Sequence, residues 1–256
     1  MAIVDRDGVK IHYEVHGSGP AILLTHGYSS TAQMWTGQIE ALSRGRTLIL
    51  WDMRGHGRSD SPDDPALYSE AATVADMAAI LDAVGARNAV IGGLSLGGYM
   101  SLAFHLKHRE RVKALLIVDT GPGFKNDEAR EGWNKYALKS ADRFENEGIG
   151  SLKSQSPERM LAQHRSAKGL ALAARGMLTQ RDASVIESLP DIKVPSLVVV
   201  GANDTGFLKA ADYMAVKIPG ASKCVIADAG HAANIDQPEI FNAAVLEFLE
   251  KTRSSP

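Results

Sequence analysis

The chain has 256 residues, of which 45% are hydrophobic and 23% charged, and its formal net charge is −2 at pH 7. This composition predicts a globular protein with a sizeable core. The small net charge and the lack of a long basic run argue against nucleic acid or an anionic membrane as partner. No apolar run is long enough to span a bilayer, and we expect no secretory signal. The single cysteine, Cys224, excludes an internal disulfide and favours a cytoplasmic location.

The predicted elements begin with a β-hairpin and continue as alternating strands and helices. Residues 9–17 alternate apolar and polar side chains and follow the turn signal Asp7–Gly8. Six apolar runs without alternation follow, at residues 21–25, 47–51, 88–93, 114–119, 196–201 and 223–228. Such runs are typical of parallel strands that are buried on both faces. Between these runs, apolar residues keep helical spacing, as at Val74, Met77 and Leu81. The alternation of strands and helices predicts an α/β fold with a mostly parallel central sheet and helices on both faces.

One interval, residues 122–190, interrupts this alternation. A crossover between parallel strands needs only one helix and short loops, on the order of 25–30 residues. The surplus is charged and has a helical pattern. We therefore expect residues 1–121 and 191–256 to form the core, and residues 122–190 to form an inserted helical cap over one end of the sheet. A pair of surface helices without a role in the site is the alternative.

The segment GGLSLGG, residues 92–98, lies between a predicted strand and a predicted helix. Gly93 to Gly97 match G-x-S-x-G around Ser95. Small residues two positions before and after the serine let the strand and helix pack closely, so that a sharp turn can project the hydroxyl above the sheet. Neither phosphate-binding glycine pattern occurs in the chain. Ser95 is therefore predicted to be a nucleophile.

A serine nucleophile needs a base and an acid that orients the base. Of the eight histidines, His231 lies in the loop after the last predicted strand, where α/β sheets gather functional groups. Asp204 lies three residues past Gly201, at the end of the preceding strand. The order serine, aspartate, histidine is the one expected for this arrangement. Asp119, which ends the 114–119 run, is the alternative acid.

Five segments together carry a resemblance to a known family: LLTHGYSS (23–30), WDMRGHGRSD (51–60), GGLSLGG (92–98), VPSLVVVGANDT (194–205) and AGHAANIDQP (229–238). Through them the chain resembles the α/β-hydrolase superfamily over nearly its whole length, in particular the capped serine-hydrolase branch with its carboxylesterases and enol-lactonases. The resemblance implies cleavage of carboxylic esters, lactones or thioesters through a Ser95–His231–Asp204 triad and an acyl-enzyme. It also implies an oxyanion hole formed by the backbone N–H groups of Tyr28 and Leu96.

Departures from the family patterns narrow the reaction. Ser95 occupies the position where haloalkane dehalogenases and epoxide hydrolases carry aspartate. Ala232 and Leu96 stand where carbon–carbon bond hydrolases and proline iminopeptidases, respectively, usually carry tryptophan. A carbon–carbon bond hydrolase of the meta-cleavage type and an enol-lactonase remain alternatives, since GLSLGG and HAANIDQP look somewhat like 3-oxoadipate enol-lactonases. A ligand-binding receptor on the same fold and a cofactor-free redox or perhydrolase activity are further alternatives.

The substrate pocket is expected to be apolar and to lie between cap and sheet. The candidate lining residues lie near strand ends or in the cap. They are Trp35, Phe124, Trp133 and Phe207, together with the side chains of Tyr28 and Leu96. Core packing is the alternative for each of them. The lack of an obvious carboxylate clamp favours a small-molecule acyl substrate that is apolar or weakly polar. We expect no metal and no cofactor, and the sequence leaves open whether the chain forms a homo-oligomer.

Four further polar residues of the family-like segments are expected to be structural. His26 belongs to the turn after the first core strand. Arg54, His56 and Ser59 are interpreted as loop architecture and not as chemistry, and His164 is placed in the cap.

Overall fold

A single eight-stranded sheet organises the molecule. The computed structural model describes residues 2–152 and 156–253 of the chain. In chain order the strands are β1 (Ala2–Arg6), β2 (Val9–Gly17), β3 (Ala21–Thr25), β4 (Thr47–Trp51), β5 (Ala89–Leu94), β6 (Val112–Val118), β7 (Ser196–Gly201) and β8 (Ser222–Ile226). Their spatial order is β1-β2-β4-β3-β5-β6-β7-β8.

The pairing confirms the predicted hairpin and the mostly parallel sheet. β1 and β2 pair antiparallel, and β2 also pairs antiparallel with β4. The other neighbours all pair parallel. Three predicted strands differ in their bounds: the 88–93 run is shifted to Ala89–Leu94, the 114–119 run to Val112–Val118, and the 223–228 run to Ser222–Ile226.

In the described residues ten α-helices accompany the sheet. They are α1 (Ile39–Ser43), α2 (Glu70–Val84), α3 (Leu96–Lys107), α4 (Asp127–Glu147), α5 (Pro157–Met160), α6 (Ala167–Ala173), α7 (Ser184–Glu187), α8 (Leu208–Lys217), α9 (Ala233–Asp236) and α10 (Pro238–Arg253). Within that described part, no helix is both long and apolar enough to cross a membrane.

Two apolar layers, one on each face of the sheet, form the core. Because successive strand residues point to opposite faces, Leu23 of β3 packs with α2 and α3, whereas Leu24 packs with α1 and α10. Both side chains are fully buried. Burial on both faces explains why the core strands read as continuous apolar runs in the sequence.

The chain between β6 and β7 contains α4 to α7, and we call residues 122–190 the helical insert. Helix α4 starts at an N-cap, where the Asn126 Oδ1 accepts the N–H of Ala129 at 2.9 Å. Its buried face carries Ala137, Ala141 and Phe144 and packs against α6. Helix α6 runs directly into a π-helical turn at Ala174–Leu178.

The parallel strands all end at one edge of the sheet, and this edge positions the site. The loops that leave β3, β5, β6 and β7 begin there, at His26, Ser95, Asp119 and Ala202. In open α/β sheets functional groups collect at this edge. The residues predicted from the sequence to act together therefore follow strands that end at the same edge of the sheet.

Candidate active site

Ser95 lies between the last residue of β5 and the first residue of α3. Its backbone adopts φ 55° and ψ −118°, a region that non-glycine residues rarely occupy. The Ser95 N–H donates to the carbonyl oxygen of Val118 on β6 at 2.9 Å, and Thr120 Oγ1 donates to the Ser95 carbonyl oxygen at 2.7 Å. These contacts hold a strained backbone in place, as is typical of functional positions.

Two glycines let the strand and the helix approach each other at this turn. A Cβ on Gly93 would lie 2.6 Å from the Thr25 carbonyl oxygen and 2.5 Å from the backbone carbon of Gly97. A Cβ on Gly97 would collide with the same Thr25 carbonyl. The glycines of the G-x-S-x-G pattern are therefore required by backbone contacts between β3, β5 and α3.

The candidate acid and base come from two adjacent loops. Asp204 follows β7, and His231 follows β8. Their side chains meet, with His231 Nδ1 2.7 Å from Asp204 Oδ2. The ring of Phe207 stacks on the imidazole, with 5.2 Å between ring centroids. This geometry fixes the ring orientation of His231 and assigns the proton of the neutral imidazole to Nδ1.

Two opposing effects act on the pKa of His231. Burial lowers it, whereas the hydrogen bond and the charge of Asp204, together with the charge of Asp119, raise it. The raising effects win, and the pKa of His231 lies above its ordinary value of 6.5. The surroundings thus stabilise the imidazolium form, which a general base passes through.

Asp119 has a different environment from Asp204. Its two carboxylate oxygens accept the backbone N–H of Gly201 at 2.8 Å and of Ala233 at 3.3 Å. Burial raises the pKa of this carboxyl to about 7. Asp204 is the partner of the His231 ring, and Asp119 joins the strand end of β7 to the loop that carries His231.

The two residues predicted to donate to an oxyanion flank the Ser95 turn. Leu96 is the first residue of α3. Tyr28 follows Gly27, on which a Cβ would lie 3.5 Å from the Cβ of Ser95. Leu96 and Gly27 therefore lie next to the serine, and Tyr28 follows Gly27 directly in the chain.

A cavity of about 140 Å³ opens above Ser95, and its lining is mostly apolar. Of the residues predicted to line the pocket, Leu96, Phe124, Trp133 and Phe207 lie in its wall. Phe124 and Trp133 come from the helical insert, and Phe207 from the loop after β7. The cavity thus brings the serine, the ring that stacks on His231 and the insert together.

Two predictions about the pocket are wrong. Trp35 is fully buried on the opposite face of the sheet, where its ring contacts that of Phe241 at 6.2 Å between centroids. The segment after the β3 loop forms a 3-10 helix that turns under the sheet, so proximity in sequence did not mean proximity to the site. Tyr28 is not part of the wall of this cavity, and its ring meets Phe144 of α4 edge-on.

Several residues in the cavity wall were not anticipated, among them Tyr99, Thr120, Leu178 and Gln180. Tyr99 lies one helical turn after Ser95, and Thr120 follows the end of β6, so spacing could have found both. Leu178 and Gln180 belong to the insert, where no local pattern marks them. In the part of the chain that is described, no group of three or more His, Cys, Asp or Glu side chains could hold a metal ion.

Comparison with known proteins agrees with this fold. A family model described as the alpha/beta hydrolase fold matches residues 20–183. A Bacillus subtilis protein provisionally named 2-succinyl-6-hydroxy-2,4-cyclohexadiene-1-carboxylate synthase is 30% identical, with 95% of this chain and 96% of that protein covered.

Two solved structures extend the comparison. A thermophilic esterase from Thermogutta terrifontis superposes with a TM-score of 0.84 at 31% identity, covering 98% of this chain and 97% of the esterase. The enol-lactonase from Burkholderia xenovorans LB400 gives a TM-score of 0.79 at 25% identity, covering 97% and 100%. The chain belongs to the alpha/beta hydrolase fold family.

Proposed function

We propose that this protein is a serine hydrolase that cleaves carboxylic esters or lactones through an acyl-enzyme. One observation carries the proposal. Ser95, on a strained turn, faces the same cavity as Phe207, and Phe207 stacks on the imidazole that Asp204 holds at 2.7 Å. The proposed nucleophile, base and orienting acid thus follow strands that end at the same edge of one sheet.

In the proposed mechanism, His231 Nε2 removes the proton of Ser95 Oγ as that oxygen attacks the carbonyl carbon. The backbone N–H groups of Tyr28 and Leu96 donate to the oxygen that becomes negative. His231 then protonates the leaving alkoxide. In the second half of the reaction water takes the place of the alcohol: His231 removes a proton from the water as it attacks the acyl carbon, and Ser95 Oγ leaves and takes that proton from His231. Asp204 keeps the Nδ1 proton in place and stabilises the imidazolium.

The helical insert is proposed to act as the cap of this site, with residues 1–121 and 191–256 as the core. The support is that Phe124, Trp133 and Leu178, all from the insert, line the cavity above Ser95. Such a roof excludes water, which strengthens the stabilisation of an oxyanion. Its apolar wall fits a small acyl substrate that is apolar or weakly polar.

Ester and lactone substrates both fall within the proposal, because one relative is an esterase and another an enol-lactonase. Another relative is named a synthase, so labelling of the serine alone does not establish hydrolysis. A cytoplasmic location is part of the proposal; its support is the single cysteine, and cell fractionation tests it.

The test compares the wild-type protein with Ser95→Ala. We expect turnover of p-nitrophenyl esters or simple lactones and labelling by a fluorophosphonate probe in the wild type. In Ser95→Ala labelling should vanish and kcat fall by about 10⁴-fold or more, because the attacking atom is gone while the turn remains. Ester turnover by the variant within tenfold of wild type would overturn the proposal. Labelling without turnover of any ester or lactone would favour a receptor or another reaction.

A further inference from the structure

Three consecutive residues of the loop after β3, residues 28–30, are each hydrogen-bonded to the helical insert. The bonds join Tyr28 Oη to Leu170 O at 2.9 Å, His164 Nε2 to Ser29 O at 3.1 Å, and Ser30 Oγ to Glu158 O at 2.9 Å. All three loop residues are buried. The insert therefore touches not only the cavity but also the loop that carries the backbone N–H of Tyr28.

This loop contains a strained turn. The Ser30 N–H donates to the Gly27 carbonyl oxygen at 3.1 Å, which closes a four-residue turn with Tyr28 and Ser29 at its centre. Ser29 has φ 56°, a value that turns normally assign to glycine at this position. A serine stays in this conformation only where the surroundings hold it.

Two histidine rings hold the backbone of Ser29. Its N–H donates to His56 Nε2 at 3.1 Å, and its carbonyl oxygen accepts from His164 Nε2. The tautomer of His164 follows from its other bond, in which the Gly57 N–H donates to Nδ1 at 3.1 Å. A backbone N–H can only donate, so Nδ1 accepts and Nε2 carries the proton that reaches Ser29. His164 thus ties the insert to two loops of the core.

We propose that His164 is a positioning residue, which fixes the Ser29 peptide and so aims the backbone N–H of Tyr28 at the oxyanion. This inference rests on the proposed function. The conformation of Ser29 sets the turn, and the turn sets the direction of the preceding N–H. An oxyanion donor is effective only when it is already aligned before charge develops. The insert therefore contributes to the rate of the reaction as well as enclosing the substrate.

Two substitutions separate the two bonds of His164. The carboxamide N–H of His164→Gln can take the place of Nε2–H and donate to Ser29. The shorter His164→Asn places its oxygen near Nδ1, where it accepts from Gly57 but does not reach Ser29. His164→Ala removes both bonds. Ser166→Ala is the matched control, because it removes a hydrogen bond two residues away, from the Gly169 N–H to Ser166 Oγ at 2.9 Å, which does not involve the loop.

The measurements are kcat and KM for p-nitrophenyl butyrate and inhibition by a trifluoromethyl ketone, whose adduct with Ser95 carries an oxyanion. We expect His164→Ala to lower kcat by about 10–100-fold and weaken inhibition by a similar factor, with KM within about threefold of wild type. His164→Gln should recover most of both losses, whereas His164→Asn should resemble the alanine variant. Ser166→Ala should lower the Tm and leave both constants unchanged.

Equal behaviour of the glutamine and asparagine variants would overturn the inference, as would wild-type kcat and inhibition in the alanine variant. If His164→Ala does not fold, the comparison of glutamine with asparagine still decides. The proposed function fails separately, through turnover that survives Ser95→Ala. Turnover that depends on Ser95 but is the same in the Gln and Asn variants contradicts the role of His164 alone.

Discussion

The floor and the roof of the cavity are built in different ways. The floor is the edge of the sheet around Ser95, where glycines, buried hydrogen bonds and a strained turn place backbone atoms in direct contact. The roof is the helical insert, in which Trp133 packs beside Phe124 at 6.2 Å between ring centroids and donates its Nε1–H to the Leu178 carbonyl at 2.8 Å. Contacts between backbone atoms thus hold the floor together, whereas the roof depends on the packing and hydrogen bonding of its side chains.

This difference predicts how each region tolerates change. A methyl group added at the floor meets another backbone, which cannot move without shifting a strand. A side chain removed from the roof leaves space that the substrate or solvent can occupy. The floor should therefore govern whether the reaction occurs, and the roof should govern which substrate reacts fastest.

The largest effect is expected at Asp204, the proposed acid, which follows β7 at the same sheet edge. Asp204→Asn should keep the fold and lower kcat by about 10³–10⁴-fold, because an amide neither holds the productive tautomer of His231 nor stabilises its charged form. Steady-state kinetics with a p-nitrophenyl ester measures this. Asp119→Asn is the matched control and should cost less, since Asp119 accepts only backbone N–H groups. A greater loss in Asp119→Asn would mean that the acid is assigned to the wrong strand.

Adding a single methyl group compares floor and roof directly. Gly97→Ala should cost about 3 kcal/mol or more of unfolding free energy, because the new Cβ collides with the Thr25 carbonyl. Gly132→Ala, in helix α4 of the roof, has nothing within 4 Å of the new Cβ and should gain up to about 1 kcal/mol from helix propensity. Urea unfolding of both variants gives the values. Equal effects of the two substitutions would remove the proposed contrast.

The stability of the folded chain should decrease in acid, because three of its histidines, His26, His56 and His164, are held in the neutral form. Burial lowers the pKa of His26 to about 4 and also lowers the pKa values of His56 and His164, despite the opposing charge of the nearby Asp52 on His26 and His164. The unfolded chain then binds protons that the folded chain does not, so stability is full above pH 6.5 and falls as the pH decreases below it. Each ring contributes a slope of at most about 1.4 kcal/mol per pH unit.

Urea unfolding at pH 7.5, 6 and 5 measures this loss. His164→Gln carries one neutral ring fewer and should show a shallower slope at the same urea range. An equal slope for the wild type and His164→Gln would contradict the neutral state of the His164 ring. The raised pKa values of His231 and Asp119 act in the opposite direction, since the stability that both groups contribute is lost as the pH rises.

The smallest effects are expected in the roof. Phe124→Ala and Trp133→Ala should change the ratio of kcat/KM between short and long acyl esters by about 3–10-fold, while fluorophosphonate labelling of Ser95 stays largely intact. Leu138→Ala is the control, because Leu138 lies on α4, is partly exposed and is outside the cavity wall. A uniform loss of activity that follows the Tm, with the acyl preference unchanged, would show that these rings only pack within the insert.

Much of the fold follows from local patterns in the sequence. The apolar runs at 21–25, 47–51 and 196–201 coincide with β3, β4 and β7, because strands buried on both faces must be apolar throughout. The turn at Ser95 is also marked locally by G-x-S-x-G, although part of the steric requirement for its glycines comes from Thr25 on β3. The order of Ser95, Asp204 and His231 then points to three loops at the same sheet edge.

What the sequence determined by itself is this sheet, with the strand ends that carry the serine, the aspartate and the histidine, because each depends on periodicity or on contacts close in the chain. Only the tertiary structure decided that Trp35 lies under the sheet, that the ring of Tyr28 faces α4, and that His164 reaches Ser29 across 135 positions of the chain. These contacts depend on where the insert crosses the sheet edge. No local pattern records that path, since it results from the packing of whole elements against each other.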